Sequence, residues 1–262
     1  MAFRLRLRYA KRGRLRFTSH RDIARAFERS LRRVGAPMAF SQGFSPHPRI
    51  SWVGAAPTGV ASEAEYVELG LTREVDPDEL SQRLSEALPD GLDVLEAVPA
   101  GPGALAERID ASGWRIELEG VDPAELADAV RRLLERDVVE VERLTKDGRR
   151  IIDIRPAVVS LQVEAPQPGG IGVGPTRSRA DVPSGPPLCG ILMAVVRQMP
   201  PTVRPDDVLS ALRVVAALRP PVPVKATRMA QGRLDDEGRL ADPLAPDRAT
   251  ASSAATGKRK PG

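Results

Sequence analysis

Cysteine is almost missing from this chain: there is one, Cys189, in 262 residues. That excludes an internal disulfide, and it excludes a thiolate zinc site or an iron–sulfur cluster built from this chain alone. Aromatic residues make up only 3% of the sequence, so the core has to be assembled from Leu, Val, Ala and Ile. Long apolar runs are missing too. Nothing approaches the roughly eighteen residues that a membrane span needs, and the N-terminus lacks the apolar centre of a signal peptide. No membrane partner is expected, and the cytoplasm is the expected location. A Gly-rich nucleotide loop, HExxH and Gly-x-Ser-x-Gly are all absent, so no cofactor is expected. Lysine is scarce, five against thirty-four arginines, a bias that follows from a GC-rich genome as readily as from phosphate recognition.

What is present is charge, unevenly distributed. Residues 1–52 hold thirteen Lys or Arg against two acids, a balance of +11, and both histidines. Residues 53–128 reverse it to −14, and 129–262 carry +7, so the overall +4 conceals a polarised molecule. Local charge, not the sum, steers association and neutralises phosphates. The pattern points to a polyanionic partner, RNA first.

Hydrophobic periodicity predicts an α+β fold. Phe3 to Tyr9 alternates basic and apolar, the period of a half-buried strand with one apolar face and one row of guanidinium groups. Ser19 caps a predicted helix to about Val34, with Ile23, Ala26, Phe27, Ser30, Leu31 and Val34 inward, and Gly35 stops it. Extended pieces follow at Met38–Phe40, Ile50–Val53 and Ala64–Leu71. Asp76-Pro77-Asp78-Glu79 opens a second helix, and Asp93–Val98 closes the unit. The order βαββαβ is the ferredoxin-like pattern. A second copy is predicted from Trp114–Leu118, a helix opened by Asp122-Pro123, a hairpin across Lys146-Asp147-Gly148, Ile191–Val196, a helix at Pro205–Leu212 and Val222–Met229. The expected organisation is therefore two tandem ferredoxin-like βαββαβ units. They comprise a basic domain at 1–99, a linker at 100–110, and a second domain at 111–232 with a mobile insertion at 166–187. A largely disordered tail is expected at 233–262.

Three segments carry candidate chemistry. The loop Ser41 to Arg49 holds His47 between two prolines, which present His47 and Arg49 at little ordering cost. Gln42, Ser45 and His47 are candidates for a pocket there; the alternative is a structural crossover in which Phe40, Phe44 and Trp52 fill core. Thr18 to Asp22 begins the first helix, where free N–H groups favour an anion and Arg21 adds charge; a simple cap with a solvated histidine is the alternative. Arg12, Arg14 and Arg16, with His20, Arg21 and Arg49, are the candidate phosphate contacts, against a merely solvated charged face. Tyr9, Phe17, Phe40 and Phe44 are the aromatics available for base stacking. His20 or His47 as a general base defines a metal-independent endoribonuclease as an alternative, although neither has an obvious carboxylate orienter nearby in sequence. Arg204 either binds or pairs with Asp207, and Arg228 to Gln231 is a weak candidate. No metal site is expected.

With these residues in view, the chain resembles the uncharacterised radical-SAM-linked protein family, whose members are encoded beside, or fused to, a cobalamin-binding radical SAM protein. The resemblance rests on Arg12-Gly13-Arg14-Leu15-Arg16-Phe17-Thr18-Ser19-His20-Arg21-Asp22 and on Ser41-Gln42-Gly43-Phe44-Ser45-Pro46-His47-Pro48. Ala56-Pro57-Thr58-Gly59 with Ser62, Glu63, Glu65 and Tyr66, Val203-Arg204-Pro205-Asp206 and Thr227-Arg228-Met229-Ala230-Gln231-Gly232 extend it over about residues 3 to 232. It implies a radical SAM protein as partner. The chain is not itself such an enzyme, because that cluster needs three cysteines. Tandem ferredoxin-like units also resemble CRISPR repeat-processing endoribonucleases, which keeps the ribonuclease alternative open as a fold analogy. The reading reached from the sequence is a non-enzymatic RNA-binding accessory protein assisting a radical SAM enzyme on tRNA or rRNA. A protein-binding scaffold using the acidic stretch is a second alternative, and that stretch either docks a partner or folds back near the basic face.

Overall fold

The computed structural model describes residues 3–145, 148–164 and 188–257, with side chains to 251. It is an α+β protein whose strands pair mostly antiparallel. The chain divides into two compact units, 1–113 together with 227–262, and 114–226. The expected insertion at 166–187 lies outside the described residues.

In the first unit the element order is the one the sequence predicts. Strand β1 (Phe3–Lys11) leads through a 3₁₀ turn (Gly13–Phe17) into helix α1 (His20–Arg33). Strands β2 (Ile50–Val53) and β3 (Ala61–Leu71), helix α2 (Pro77–Ala87) and strand β4 (Leu92–Pro99) follow. Strand β1 lies between β4 and β3, antiparallel to both, and β2 runs antiparallel along the far side of β3. Side chains alternate across this sheet. Leu5, Leu7 and Tyr9 of β1 and Val67, Leu69 and Leu71 of β3 face α1 and α2, where Ile23, Phe27, Leu31, Leu80 and Leu84 complete the main core. Helix α1 buries the face that its 3.6-residue spacing predicts, and Gly35, at φ +64°, ends it. Asp76 accepts from the N–H groups of Asp78 and Glu79 and starts α2 ahead of Pro77.

The other face of the sheet has its own smaller core of Ala64, Tyr66, Val98, Leu105, Ile109 and Leu244. The last of these comes from the segment expected to be a disordered tail. Strand β10 (Lys225–Leu234) runs parallel to β3 at Thr227–Ala61 and Arg228–Ser62, β11 (Leu240–Ala241) pairs with β10, and helix α5 spans Ala245–Gly257. Residues 227–257 therefore belong to the first unit instead of closing a second domain or trailing from it. Polar hooks, not an apolar face of the kind periodicity detects, hold this segment. Asp247 is wholly buried and accepts from Arg6 (2.8 and 2.9 Å), Arg108 (2.8 Å) and the Gly101 N–H (2.8 Å).

The second unit departs from a copy of the first. Strand β5 (Ala111–Glu119) leads to α3 (Pro123–Leu134), started by Asp122 ahead of Pro123. Strands β6 (Glu140–Thr145) and β7 (Gly148–Asp153) form the predicted hairpin, but as a two-stranded sheet of their own. A strand absent from the sequence reading, β8 (Val158–Glu164), pairs with β9 (Cys189–Arg197), and the order is β5-β9-β8. Helix α4 (Pro205–Ala216) follows, and the expected last strand has gone to the first unit as β10. At the start of α4 the Asp207 carboxylate accepts the Arg204 N–H (2.7 Å) and pairs with Arg143, so this motif is structural.

Burial works to raise the Asp247 carboxyl, but hydrogen bonds from Arg6, Arg108 and Gly101 outweigh it and hold it below the ordinary aspartate range. A depressed carboxyl contributes stability above its unfolded value, near pH 4, and the contribution disappears as pH falls through the folded value. Asp247→Asn should cost on the order of 3 kcal/mol at pH 7, since it leaves buried arginine short of counter-charge. Chemical denaturation from pH 7 down to about 3 should be steeper in the wild type than in this variant. Parallel pH profiles would show that Asp247 does not carry the acid sensitivity.

Candidate nucleic-acid interface

The guanidinium row on β1 is not an open surface, contrary to the sequence expectation. Arg6 is fully buried and donates to Glu68 (2.8 Å) as well as to Asp247. Arg4 reaches Glu68 (3.2 Å) and Arg8 lies 3.7 Å from Glu96. These acids stand on β3 and β4, the two neighbours of β1, so that part of the acidic stretch folds back onto the basic strand. Arg12 is held in the same way, by Glu63 and by Asp93 (2.9 Å). The Glu63 hydrogen bond is the largest cause of its raised pKa.

Beyond Arg12 the acids thin out to Asp22, which lies 3.6 Å from Arg25, and Glu28. Arg14 and Arg16 on the 3₁₀ turn and Arg21, Arg29, Arg32 and Arg33 on α1 make no ion pair among the described residues, and all but the half-buried Arg16 are exposed. The Arg16 guanidinium lies 4.6 Å from the centre of the Phe17 ring, which is itself 60% exposed. The start of α1 is already capped: Ser19 accepts the Asp22 N–H (3.2 Å) and its hydroxyl donates to the Asp22 carboxylate (2.7 Å). That carboxylate stands where an anion was expected. His20 is exposed and packs edge-on against Trp52 at 5.2 Å, and Trp52 in turn meets Tyr9 and Phe27. Of the aromatics considered for stacking, Tyr9 is core, while Phe17, Phe40 and Phe44 are exposed.

The Ser41–Arg49 loop is closed on itself. Ser41 N–H donates to the His47 carbonyl (2.8 Å), the His47 N–H to the Ser41 hydroxyl (3.0 Å), and the Arg49 N–H to the Ala39 carbonyl (2.8 Å). A cavity opens beside it, lined by Ser41, His47 and Arg49 and by β1 and β3 residues including Arg4, Glu68 and Gly70. Gln42 and Ser45, both exposed, are not part of its lining. Ile50 and Trp52 of β2 pack on the helix-side core, so by alternation Arg49 and Ser51 project to the opposite face. The residues grouped in the sequence reading thus fall on two faces: Arg12, Arg14, Arg16, His20 and Arg21 on one, His47 and Arg49 on the other. Among the described residues, neither imidazole is hydrogen-bonded or paired to a carboxylate that would orient it as a general base.

A buried polar group lies beneath the 3₁₀ turn, joining the candidate segment Arg228 to Gln231 to Lys11, Ser62 and Glu65, which were not among the candidate site residues. Lys11, Ser62, Glu65, Arg228 and Gln231 are all buried. Arg228 pairs with Glu65, whose other oxygen accepts the Ala56 N–H (2.9 Å). The Lys11 ammonium donates to the Pro57 carbonyl (3.1 Å), and Gln231 donates to the Ala64 carbonyl (2.6 Å). Gly54, at φ +57°, has no room for a side chain, since a Cβ would sit 2.6 Å from the Gln231 amide oxygen. The loop over the cluster then gives its Gly59 N–H to the Arg16 carbonyl (2.7 Å). Burial lowers the Lys11 pKa, opposed by Glu65 and reinforced by Arg228, and burial with Glu65 raises that of Tyr9. The available signal was Glu65, an ionisable residue within the predicted strand Ala64–Leu71; Lys11 lies beyond the predicted end of the first strand, and β1 continues through it. Three segments quoted for the family resemblance, at 56–59, 62–66 and 227–232, meet here.

Fold and site together define an α+β protein with a divided arginine surface and, among its described residues, no group of three or more His, Cys, Asp or Glu arranged to hold a metal. No helix among those residues is long and apolar enough to cross a membrane. Residues 4–205 match a family described as an uncharacterized protein conserved in bacteria (DUF2344), and the chain belongs to it. No curated protein matches.

Glu65 pairs with buried Arg228 and its charge also acts on buried Lys11, so Glu65→Gln should cost about 3–5 kcal/mol in urea unfolding at pH 7 by leaving Arg228 uncompensated. Adding Lys11→Met to that variant should recover part of the loss. A loss below about 1 kcal/mol would place the counter-charge elsewhere.

Proposed function

We propose that this protein is an RNA-binding accessory protein that engages RNA through the 3₁₀ turn and α1. The observation that carries this reading is the division of the arginines. Those of β1 are matched by acids, whereas Arg14, Arg16, Arg21, Arg29, Arg32 and Arg33 are ordered on one turn and one helix without counter-ions. Phosphates are the counter-ions such a surface fits, and release of condensed cations drives their binding. Phe17, exposed and covered on one side by Arg16, offers a stacking platform for an unpaired base. Arg12 contributes less than its neighbours because Glu63 and Asp93 already hold it. His20 supplies an edge of the surface, and Arg49, on the other face, is not counted in it.

The family resemblance extends the reading to a partner, a radical SAM enzyme that modifies tRNA or rRNA, with this chain holding the RNA and the enzyme performing the chemistry. The first unit, with its βαββαβ order, is read as ferredoxin-like. The acids at 63–96 that pair with β1 are unavailable for docking, which weakens the scaffold alternative, and the unoriented imidazoles weaken the ribonuclease one.

Fluorescence anisotropy with labelled tRNA across a salt series tests this. Replacing Arg14, Arg16 and Arg21 together by Ala should weaken binding at least about tenfold and reduce the slope of log K against log salt by about 2. Phe17→Ala should weaken binding to single-stranded RNA by about 1–3 kcal/mol with the salt slope unchanged. Equal affinity of the triple variant and the wild type would remove this face as the binding surface.

A further inference from the structure

The closed loop Ser41–Arg49 borders a cavity of about 340 Å³ on the face of the first unit's sheet away from α1. That volume lies at the lower end of small-molecule sites and exceeds what an inorganic anion needs. Its charges are sorted. At the loop side stand His47 and Arg49, neither of which makes an ion pair or side-chain hydrogen bond among the described residues. On the floor stands Glu68, with Arg4 and Arg6 each taking one of its oxygens. A carboxylate offers about four acceptor positions, so Glu68 retains acceptor capacity. Pro48 supplies apolar wall.

Two features show that the arrangement is prepared in advance. The loop's hydrogen bonds fix the backbone on both sides of His47, and prolines at 46 and 48 restrict it further. Gly70 faces Arg49 so closely that a Cβ on it would lie 2.8 Å from the Arg49 Cβ. Only the missing side chain at 70 lets the Arg49 stem cross the strand there. Two groups that can carry positive charge, ordered without an acid, fit an anionic end; a carboxylate floor fits a hydrogen-bond donor at the other end.

We propose that this cavity binds a nucleotide whose base bears an exocyclic amine, with the phosphate between His47 and Arg49 and the amine donating to Glu68. The chemistry is shared by a free mononucleotide and by the phosphorylated 5′ end of an RNA. The site is separate from the turn and helix assigned to RNA above, and it stands whether or not that assignment does.

Isothermal titration of the full-length protein with AMP, GMP and CMP tests the proposal, with adenosine and inorganic phosphate as partial ligands. Saturable one-to-one binding is expected, tighter than for either partial ligand. His47→Ala/Arg49→Ala should weaken it at least about tenfold, the effect of losing a charge-assisted hydrogen bond. Ser51→Trp, which fills the cavity from β2 while leaving His47 and Arg49 in place, should do the same. Arg213→Ala on α4 should leave binding unchanged. A 5′-phosphorylated oligoribonucleotide that competes better than AMP, and loses the advantage on dephosphorylation, identifies an RNA end as the source; the reverse order identifies a free nucleotide. No saturation with any of the three nucleotides, or wild-type affinity in both the double variant and Ser51→Trp, overturns the proposal.

Discussion

The buried guanidinium of Arg6 is the constraint on which much of the first unit rests. A cation with no solvent contact is tolerated only when charge and hydrogen bonds surround it, because its desolvation costs several kcal/mol. Arg6 meets that demand from three directions. Glu68 comes from the adjacent strand, the Gly103 carbonyl from the segment after β4, and Asp247 from a helix near the end of the chain. Asp247 also accepts from Arg108 and Gly101. One ion cluster therefore fixes the segment around 101–108 and the helix α5 onto the sheet, and with them Leu244 and the second small core.

The same arrangement decides what the polarity of the chain means. Read along the sequence, a block of positive charge is followed by a block of negative charge. Folded, β1 lies between β3 and β4, and four of their acids, Glu63, Glu68, Asp93 and Glu96, are spent on Arg4, Arg6, Arg8 and Arg12. What remains unpaired near the start of the unit is narrower: Arg14 and Arg16 of the 3₁₀ turn, Arg21, Arg29, Arg32 and Arg33 of α1, and Arg49 on the other face. Neutralising the sheet face leaves the helix face as the positive side of this unit, which is why the functional reading moves there.

The second buried ion cluster supports that surface from behind. Lys11, Glu65 and Arg228 grip the loop at 54–59 through the Ala56 N–H and the Pro57 carbonyl, and that loop reaches the Arg16 carbonyl through Gly59. A turn that would otherwise be free to move is tied to β1, β3 and β10 by groups that break only at high cost. For the proposed RNA surface, such a base lowers the ordering cost of binding. On the opposite face, proline and loop hydrogen bonds achieve the same for His47 and Arg49.

Local signals made much of this legible. The spacing of Ile23, Ala26, Phe27, Ser30 and Leu31 gave the buried face of α1, Asp76-Pro77 and Asp122-Pro123 gave two helix starts, and the βαββαβ order of the first unit followed from strand and helix periods. The Ser41–Arg49 loop stood out for its prolines, although the side chains that line the cavity are Ser41, His47 and Arg49, not Gln42 and Ser45. Sequence alone thus determined the elements of the first unit through β4 and their apolar faces, though not β8, β11 or α5, because those properties depend on neighbours a few residues apart. It could not determine what covers the polar face. Arg6 and Asp247 are 241 residues apart, and alternation marks Arg6 as pointing away from the main core without saying whether water or a carboxylate meets it. Burial of Lys11, Glu65 and Arg228, capture of β10 and α5 by the first unit, and the split of the arginines between paired and unpaired were decided only by tertiary structure. The physical reason is that the energy of an ion depends on its partners in space, and no local pattern encodes a partner that distant.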